Sequence, residues 1–279
     1  MTSETEIIPG LSFSEYVRLP GINSHSCKAG LTSMRHMHRQ RTAPIGKDSP
    51  SMRFGRLMHA SILEPERFDS LVTVWTGGVR RGKLWEAFKA ENDPEWIVTA
   101  EEHARLGDMR AAIEGHDYAK MILGPGDAEV VIRWQDRTYG WAKARIDKCC
   151  SGWIYDIKTT SYIERHAFAR QAERLHYFDQ FGWYAHGYEI AAEQFSQFMV
   201  VAVESDPPYD VVAYEVPKDL LHAGYETYAE IARQYHTCTQ INQFPGISSE
   251  LLQLERPGAW SAMDELDTTG INEGVTDAA

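Results

Sequence analysis

The chain has 279 residues, 43% of them apolar and 24% charged, a globular composition that excludes disorder along its whole length. Its formal charge of −12 argues at first against a nucleic-acid partner. No window approaches the ~18 uncharged apolar residues of a membrane helix. The acidic opening MTSETEIIPG lacks the basic-then-apolar order of a secretory signal, and Cys27, Cys149, Cys150 and Cys238 form no CxxC pair. The reading is a reduced cytoplasmic protein with no membrane partner and no zinc or iron–sulfur site.

In chain order, residues 1–10 read as a flexible N-terminus. A helix is expected over 24–40, after a cap at Asn23 or Ser24. Residues 51–63 place Phe54, Leu57, Met58 and Ile62 on one face of a second helix. The stretch 76–83 reads as a basic loop. Thr99 and Glu102 have the spacing of a capping box that opens a helix to about Gly115. The period then changes. Residues 128–134, 138–149 and 152–158 are β-rich and separated by Asp136-Arg137 and Ser151-Gly152, which predicts an antiparallel meander. Helices follow over 163–172 and 175–192, strands over 196–205 and 209–216, and a helix from Pro217 as an N1 proline to about Thr237. This order predicts one α/β domain over 11–260, a mixed central β-sheet flanked by helices. Residues 1–95 form its N-terminal helical elaboration, and 261–279 an acidic disordered tail.

Charge is uneven along the chain. Residues 21–60 hold seven basic side chains (Lys28, Arg35, Arg39, Arg41, Lys47, Arg53, Arg56) against one acid, Asp48, with His25, His36, His38 and His59 among them. The last 19 residues hold five acids and no base. One basic face on an acidic body suits a phosphate partner; a solvated helical face would give the same counts.

The chemistry-bearing positions cluster in the meander. Asp156 and Lys158 are two apart on a strand and share a face, with Trp153, Tyr155 and Ile157 on the other. Asp147 ends the preceding strand and Glu129 begins the first. Two aspartates on adjacent strands suit a hard cation such as Mg²⁺, and a neighbouring lysine can orient attacking water and offset developing charge. An exposed Asp–Lys pair on a solvated sheet would produce the same short pattern. Gln180 and Tyr184, four apart, share a helix face and can touch a phosphate or simply line the core. His59 sits among apolar neighbours, where a packed core histidine is as natural as a ligand.

Taken together, Gly55–His59, Glu129, Asp147, Asp156-Ile157-Lys158 and Gln180–Tyr184 resemble the PD-(D/E)XK nuclease superfamily in its RecB-like branch. More narrowly they resemble the C-terminal nuclease domain of RecE-type exodeoxyribonuclease VIII. The likeness extends to Tyr16-x-x-Leu19-Pro20-Gly21-Ile22, Leu63-Glu64-Pro65-Glu66-x-Phe68, Arg80-Arg81-Gly82-Lys83, Ala128-Glu129 before Ile132-x-Trp134, and Trp260. Two departures stand out: Ile146 replaces the usual proline before the aspartate, and the large N-terminal region of full-length RecE is absent, which reads as a stand-alone domain.

The resemblance implies an Mg²⁺-dependent exonuclease on double-stranded DNA ends, with Mn²⁺ as a substitute. It implies 5′-to-3′ resection that leaves 3′ overhangs for a single-strand annealing recombinase. A ring-shaped homo-oligomer and a phage or prophage setting in a bacterial cytoplasm come with it. His59, Asp147, Asp156 and the Ile157 backbone carbonyl would bind metal, and Lys158 would be the catalytic lysine. Glu129 would be an acidic site residue. Gln180, Tyr184, Arg145, Arg80, Arg81 and Lys83 would meet DNA. An endonuclease built on the same site, or a non-catalytic DNA-binding module for recombination, are the alternatives.

Overall fold

The computed structural model describes residues 4–43 and 49–254. Lys47, Asp48, Trp260 and the tail 261–279 lie outside them. Six strands form one mixed sheet: β1 (Thr5–Ile8), β4 (Asp127–Asp136), β5 (Gly140–Cys150), β6 (Trp153–Thr160), β7 (Gln197–Glu204) and β8 (Val211–Glu215), side by side in that order. Only β6 and β7 run parallel; the other neighbours are antiparallel. β4, β5 and β6 are the meander that the turn residues predict. A parallel pair needs a long crossover, and two helices supply it: α8 (Arg165–Arg174) and α9 (Tyr177–Ala192).

Strand alternation feeds two cores. Ile154, Phe198, Val200 and Ala202 turn to the face covered by α9 and by α10 (Lys218–Ile241), with α2 (Ser24–Thr32) and α3 (Met34–Thr42) packed beyond them. Tyr155, Ile157, Met199 and Val201 turn to the other face, under α4 (Pro50–Leu63) and α7 (Ala100–Gly115). The expected face of α4 is the one used: Leu57, Met58 and Ile62 are buried and Phe54 packs beside them. α7 opens on the Thr99–Glu102 capping box in both directions. The α9–α10 contact is backbone-close. A Cβ on Gly182 would lie 2.2 Å from the Leu221 carbonyl, and one on Gly224 would lie 2.1 Å from that of Phe178.

Three expectations are corrected. Residues 5–8 are not a flexible lead; they pair with Ile132 and its neighbours as the edge strand. The helix over 24–40 is two, because Ser33 is extended and its hydroxyl accepts from the His36 N–H, capping a new helix. Pro217 is the N-cap of α10, not its first helical residue. The N-terminal helices pack into the domain, with Leu57, Met58, Ala60, Ile62 and Leu63 of α4 buried in the second core. Also there are α1 (Phe13–Arg18), α5 (Pro65–Leu71), α6 (Lys83–Glu91) and the small parallel pair β2 (Thr73–Trp75) and β3 (Ile97–Thr99). No helix among the described residues is long and apolar enough to cross a membrane.

Candidate active site

The site begins where strand alternation fails. On β5, Ala142, Ala144 and Ile146 face the first core, but so does Cys149, an odd step away. On β4, Val130, Ile132 and Trp134 face the first core, while Ala128 packs against the second. Both strands slip at one row, at Glu129 and Asp147, which the register Ala128↔Lys148 and Val130↔Ile146 leaves facing each other. Glu129 has φ of 53°, a left-handed backbone that side chains adopt at some cost. Local irregularities of this kind re-aim side chains.

The β5–β6 ladder stops in the same place. Its last pair is Lys148↔Tyr155, so Asp147 and Asp156, next in line, are not hydrogen-bonded across the strands. Asp147 fills the gap with its side chain: the Ile157 N–H donates to its Oδ2 at 2.8 Å. His59, carried in by α4, places Nδ1 3.5 Å from Asp147 Oδ1 and reaches the Ile157 backbone. Glu129, Asp147, Asp156, the Ile157 backbone and His59 thus converge from three strands and one helix.

Lys158 sits on the first-core face of β6. Its Nζ lies 3.1 Å from Asp156 Oδ2 and donates to Gln180 Oε1 at 2.9 Å. The Tyr177 ring lies 4.7 Å beneath it. Gln180 passes the chain on, with Nε2 donating to Tyr184 OH at 3.0 Å. Gln180 and Tyr184 are 6% and 2% exposed, so their placement does not match the expected contact with DNA. Their polar groups are engaged inside the protein, where they fix the lysine. Arg145 pairs with Glu129 at 2.8 Å and lies over the Phe13 ring. Arg80 is held by Glu102, which Arg53 also holds, and is therefore no unengaged DNA contact. Arg81 and Lys83 are exposed.

Electrostatics follow from burial. Taking two carboxylates out of water disfavours their charge, so Asp147 and Asp156 are pushed above the usual carboxylate range, with Lys158 opposing the shift. Burial raises Glu129 likewise, against the pull of Arg145. Burial lowers His59 to about 4, which leaves its imidazole neutral with a lone pair at pH 7.

The donor set fits a hard divalent ion: three buried carboxylates, Glu129, Asp147 and Asp156, against two cations, Arg145 and Lys158, with a neutral imidazole and a backbone carbonyl. Asp156 Oδ2 makes no hydrogen bond, since Lys158 Nζ lies near it but off the bonding direction. Among the described residues no three His, Cys, Asp or Glu side chains already close on one point. Lys158 leans on Asp156, and the Ile157 amide occupies one oxygen of Asp147.

A cleft over Asp147 is walled by His59, Glu129, Arg145, Arg56, Phe13 and Trp96. Arg56 stands three residues before His59, a spacing that places both on one helix face and makes it legible. Phe13 arrives from 132 positions away in sequence to meet Arg145, and no local pattern announces it.

Residues 12–256 match a protein family described as "PDDEXK-like domain of unknown function (DUF3799)". No curated protein matches the sequence. Among solved structures, the fold is similar to the crystal structure of a "Putative exonuclease" from Eubacterium rectale. The TM-score is 0.61 at 13% identity, over 91% of this chain and 97% of that one.

Proposed function

The chain belongs to the PDDEXK-like family matched over residues 12–256, and from that premise we propose that it is a metal-dependent deoxyribonuclease acting at double-stranded DNA ends. One observation carries the reading: Asp147, Asp156 and Lys158 meet where the β5–β6 ladder opens, with His59 beside them. A bound Mg²⁺, or Mn²⁺ in its place, would act as a Lewis acid on the scissile phosphate and on water, held by His59, Asp147, Asp156 and the Ile157 carbonyl.

The chain's own groups prepare the rest. Gln180 holds Lys158 Nζ at a fixed place beside Asp156, where an ammonium can donate to a phosphate oxygen or to attacking water. Gln180 is itself fixed by Tyr184, so the ammonium is oriented without a contact to solvent. Glu129 keeps Arg145 over the cleft, where a guanidinium meets phosphate in two-pronged fashion. Phe13 and Trp96 offer apolar walls for a nucleoside beside that phosphate.

The likeness of the motifs to RecE-type nucleases supports a 5′-to-3′ exonuclease whose 3′ overhangs serve an annealing recombinase, with a ring-shaped oligomer as the working form. Linear duplex labelled at the 5′ or the 3′ end, incubated with Mg²⁺ or EDTA, tests this. Mononucleotide release from 5′ termini, only with Mg²⁺ and lost in Asp156→Ala, is the expected result. Digestion of nicked circles would replace the exonuclease with an endonuclease. Equal degradation by wild type and Asp156→Ala would remove the site altogether. A monomer by light scattering would remove the ring.

A further inference from the structure

A further basic surface, outside the basic segments 21–60 and 80–83, lies on the helix that follows β6. α8 buries Phe168, Gln171 and Ala172 and turns Arg165, His166, Arg170 and Arg174 to solvent. His166, Arg170 and Arg174 follow one another at four-residue steps, so they form a single stripe about 12 Å long. Among the described residues no ion pair ties down Arg165, Arg170 or Arg174. Several guanidiniums elsewhere are matched to carboxylates: Arg53 and Arg80 to Glu102, Arg67 to Glu64, Arg133 to Glu6. Other long helices present acids instead, Glu101, Asp108 and Glu114 on α7 and Asp219, Glu226 and Glu230 on α10.

This arrangement works against the helix itself. Like charges four apart destabilise a helix by roughly 0.2–0.5 kcal/mol, and a first turn favours acids, where α8 carries Arg165 and His166. The Glu164 cap, accepting from the His166 and Ala167 amides, and the exposed Glu173, three residues after Arg170, oppose them in part. An external anion would remove the conflict.

The last turn of α8 is tied to the strand that carries Lys158. Gln171 bonds the Thr160 hydroxyl, two residues and roughly 7 Å beyond Lys158 along β6. Arg174 stands three residues before Tyr177, whose ring lies 4.7 Å from Lys158 Nζ. The C-terminal end of the stripe therefore belongs to the turn that packs on the surroundings of Lys158.

We propose that the exposed face of α8 carries the phosphate backbone of duplex DNA outside the cleaved nucleotide, with Arg170 and Arg174 as the principal contacts. The proposal rests on the nuclease reading and adds the path of the bound duplex. The partner is a polyanion with repeated phosphates, since Arg165, Arg170 and Arg174, spread along the helix, have no single small anion to serve.

The test is the affinity of the full chain for a 20-base-pair duplex in EDTA, by fluorescence anisotropy, at salt from 50 to 200 mM. Each lost phosphate contact lowers the log–log salt slope by about 0.9. Arg170→Ala/Arg174→Ala should therefore flatten the slope by about 1.8. The affinity gap between wild type and variant should shrink about 12-fold across that salt range. Arg170→Lys/Arg174→Lys should restore the slope. Alanine at exposed helix positions favours folding, and a thermal melt checks it. A slope unchanged in the alanine variant, or flattened as much in Arg35→Ala/Arg39→Ala, overturns the proposal. Cleavage of the same duplex by wild type in Mg²⁺ tests the nuclease reading separately. Retained cleavage with an unchanged variant slope refutes the α8 path alone.

Discussion

Gln180→Leu separates two roles that the sequence pattern leaves open. Gln180 is buried, accepts from Lys158 Nζ at 2.9 Å and donates to Tyr184 OH at 3.0 Å. Leucine keeps much of the volume and removes both bonds. A bond from a charged donor contributes about 1.5–3 kcal/mol, and the Tyr184 bond about 1 more, offset in part by the added apolar contact. The expected loss is about 3 kcal/mol, or roughly 6–12 °C in Tm for a domain of this size. For catalysis, an ammonium that loses its anchor moves, and a displacement near 1 Å costs on the order of 100-fold in rate. Steady-state kinetics on linear duplex should show kcat down about 10- to 100-fold with KM within about threefold. A KM raised tenfold or more at unchanged kcat would mean that Gln180 grips DNA, and the positioning argument would fail.

Other consequences follow from the same geometry. Because burial raises Asp147 and Asp156, the native state holds protons that the unfolded chain has released. Relative to Asp156→Asn, the wild type in EDTA should lose stability as pH rises from about 4 to 7 in calorimetric melts; a wild type that gains on the variant over this window contradicts the burial argument. Mg²⁺ should raise Tm more at pH 8 than at pH 6, because binding must displace those protons. Gly182→Ala drives a methyl into the Leu221 carbonyl, and chemical denaturation should show a loss of about 3 kcal/mol. Glu129→Gln frees Arg145 from its 2.8 Å partner, so substrate KM should change while Asp147-dependent metal affinity stays within about threefold.

Legibility in the sequence follows the range of the interactions. The meander, α4 and α7 are local patterns, set by turn residues, a 3.6-residue stripe and one capping box, and they appear where those patterns put them. Asp156 and Lys158 are readable as one strand face. The break between 32 and 34 depends on one serine preferring to cap, a small energy that periodicity does not register. β1 is short and gains its place only from β4, more than a hundred residues on. The slip at Glu129 and Asp147 has a faint trace, since Ile146 and Cys149 cannot both face one core on an unbroken strand. The inward turn of Gln180 and Tyr184 leaves none, because a polar pair at helical spacing serves a ligand or a buried lysine equally well. No pattern in the sequence singles out the α8 arginines; Thr160 and Tyr177 tie their helix to the surroundings of Lys158.

The most direct test is Mn²⁺ binding to the purified chain, followed by electron paramagnetic resonance in wild type, His59→Ala, Asp147→Asn and Asp156→Asn. Saturable uptake by wild type, displaced by Mg²⁺ and weakened at least tenfold in each aspartate variant, is the result expected. No saturable uptake by wild type, or uptake indifferent to Asp147 and Asp156, would contradict a metal site at the opening between β5 and β6.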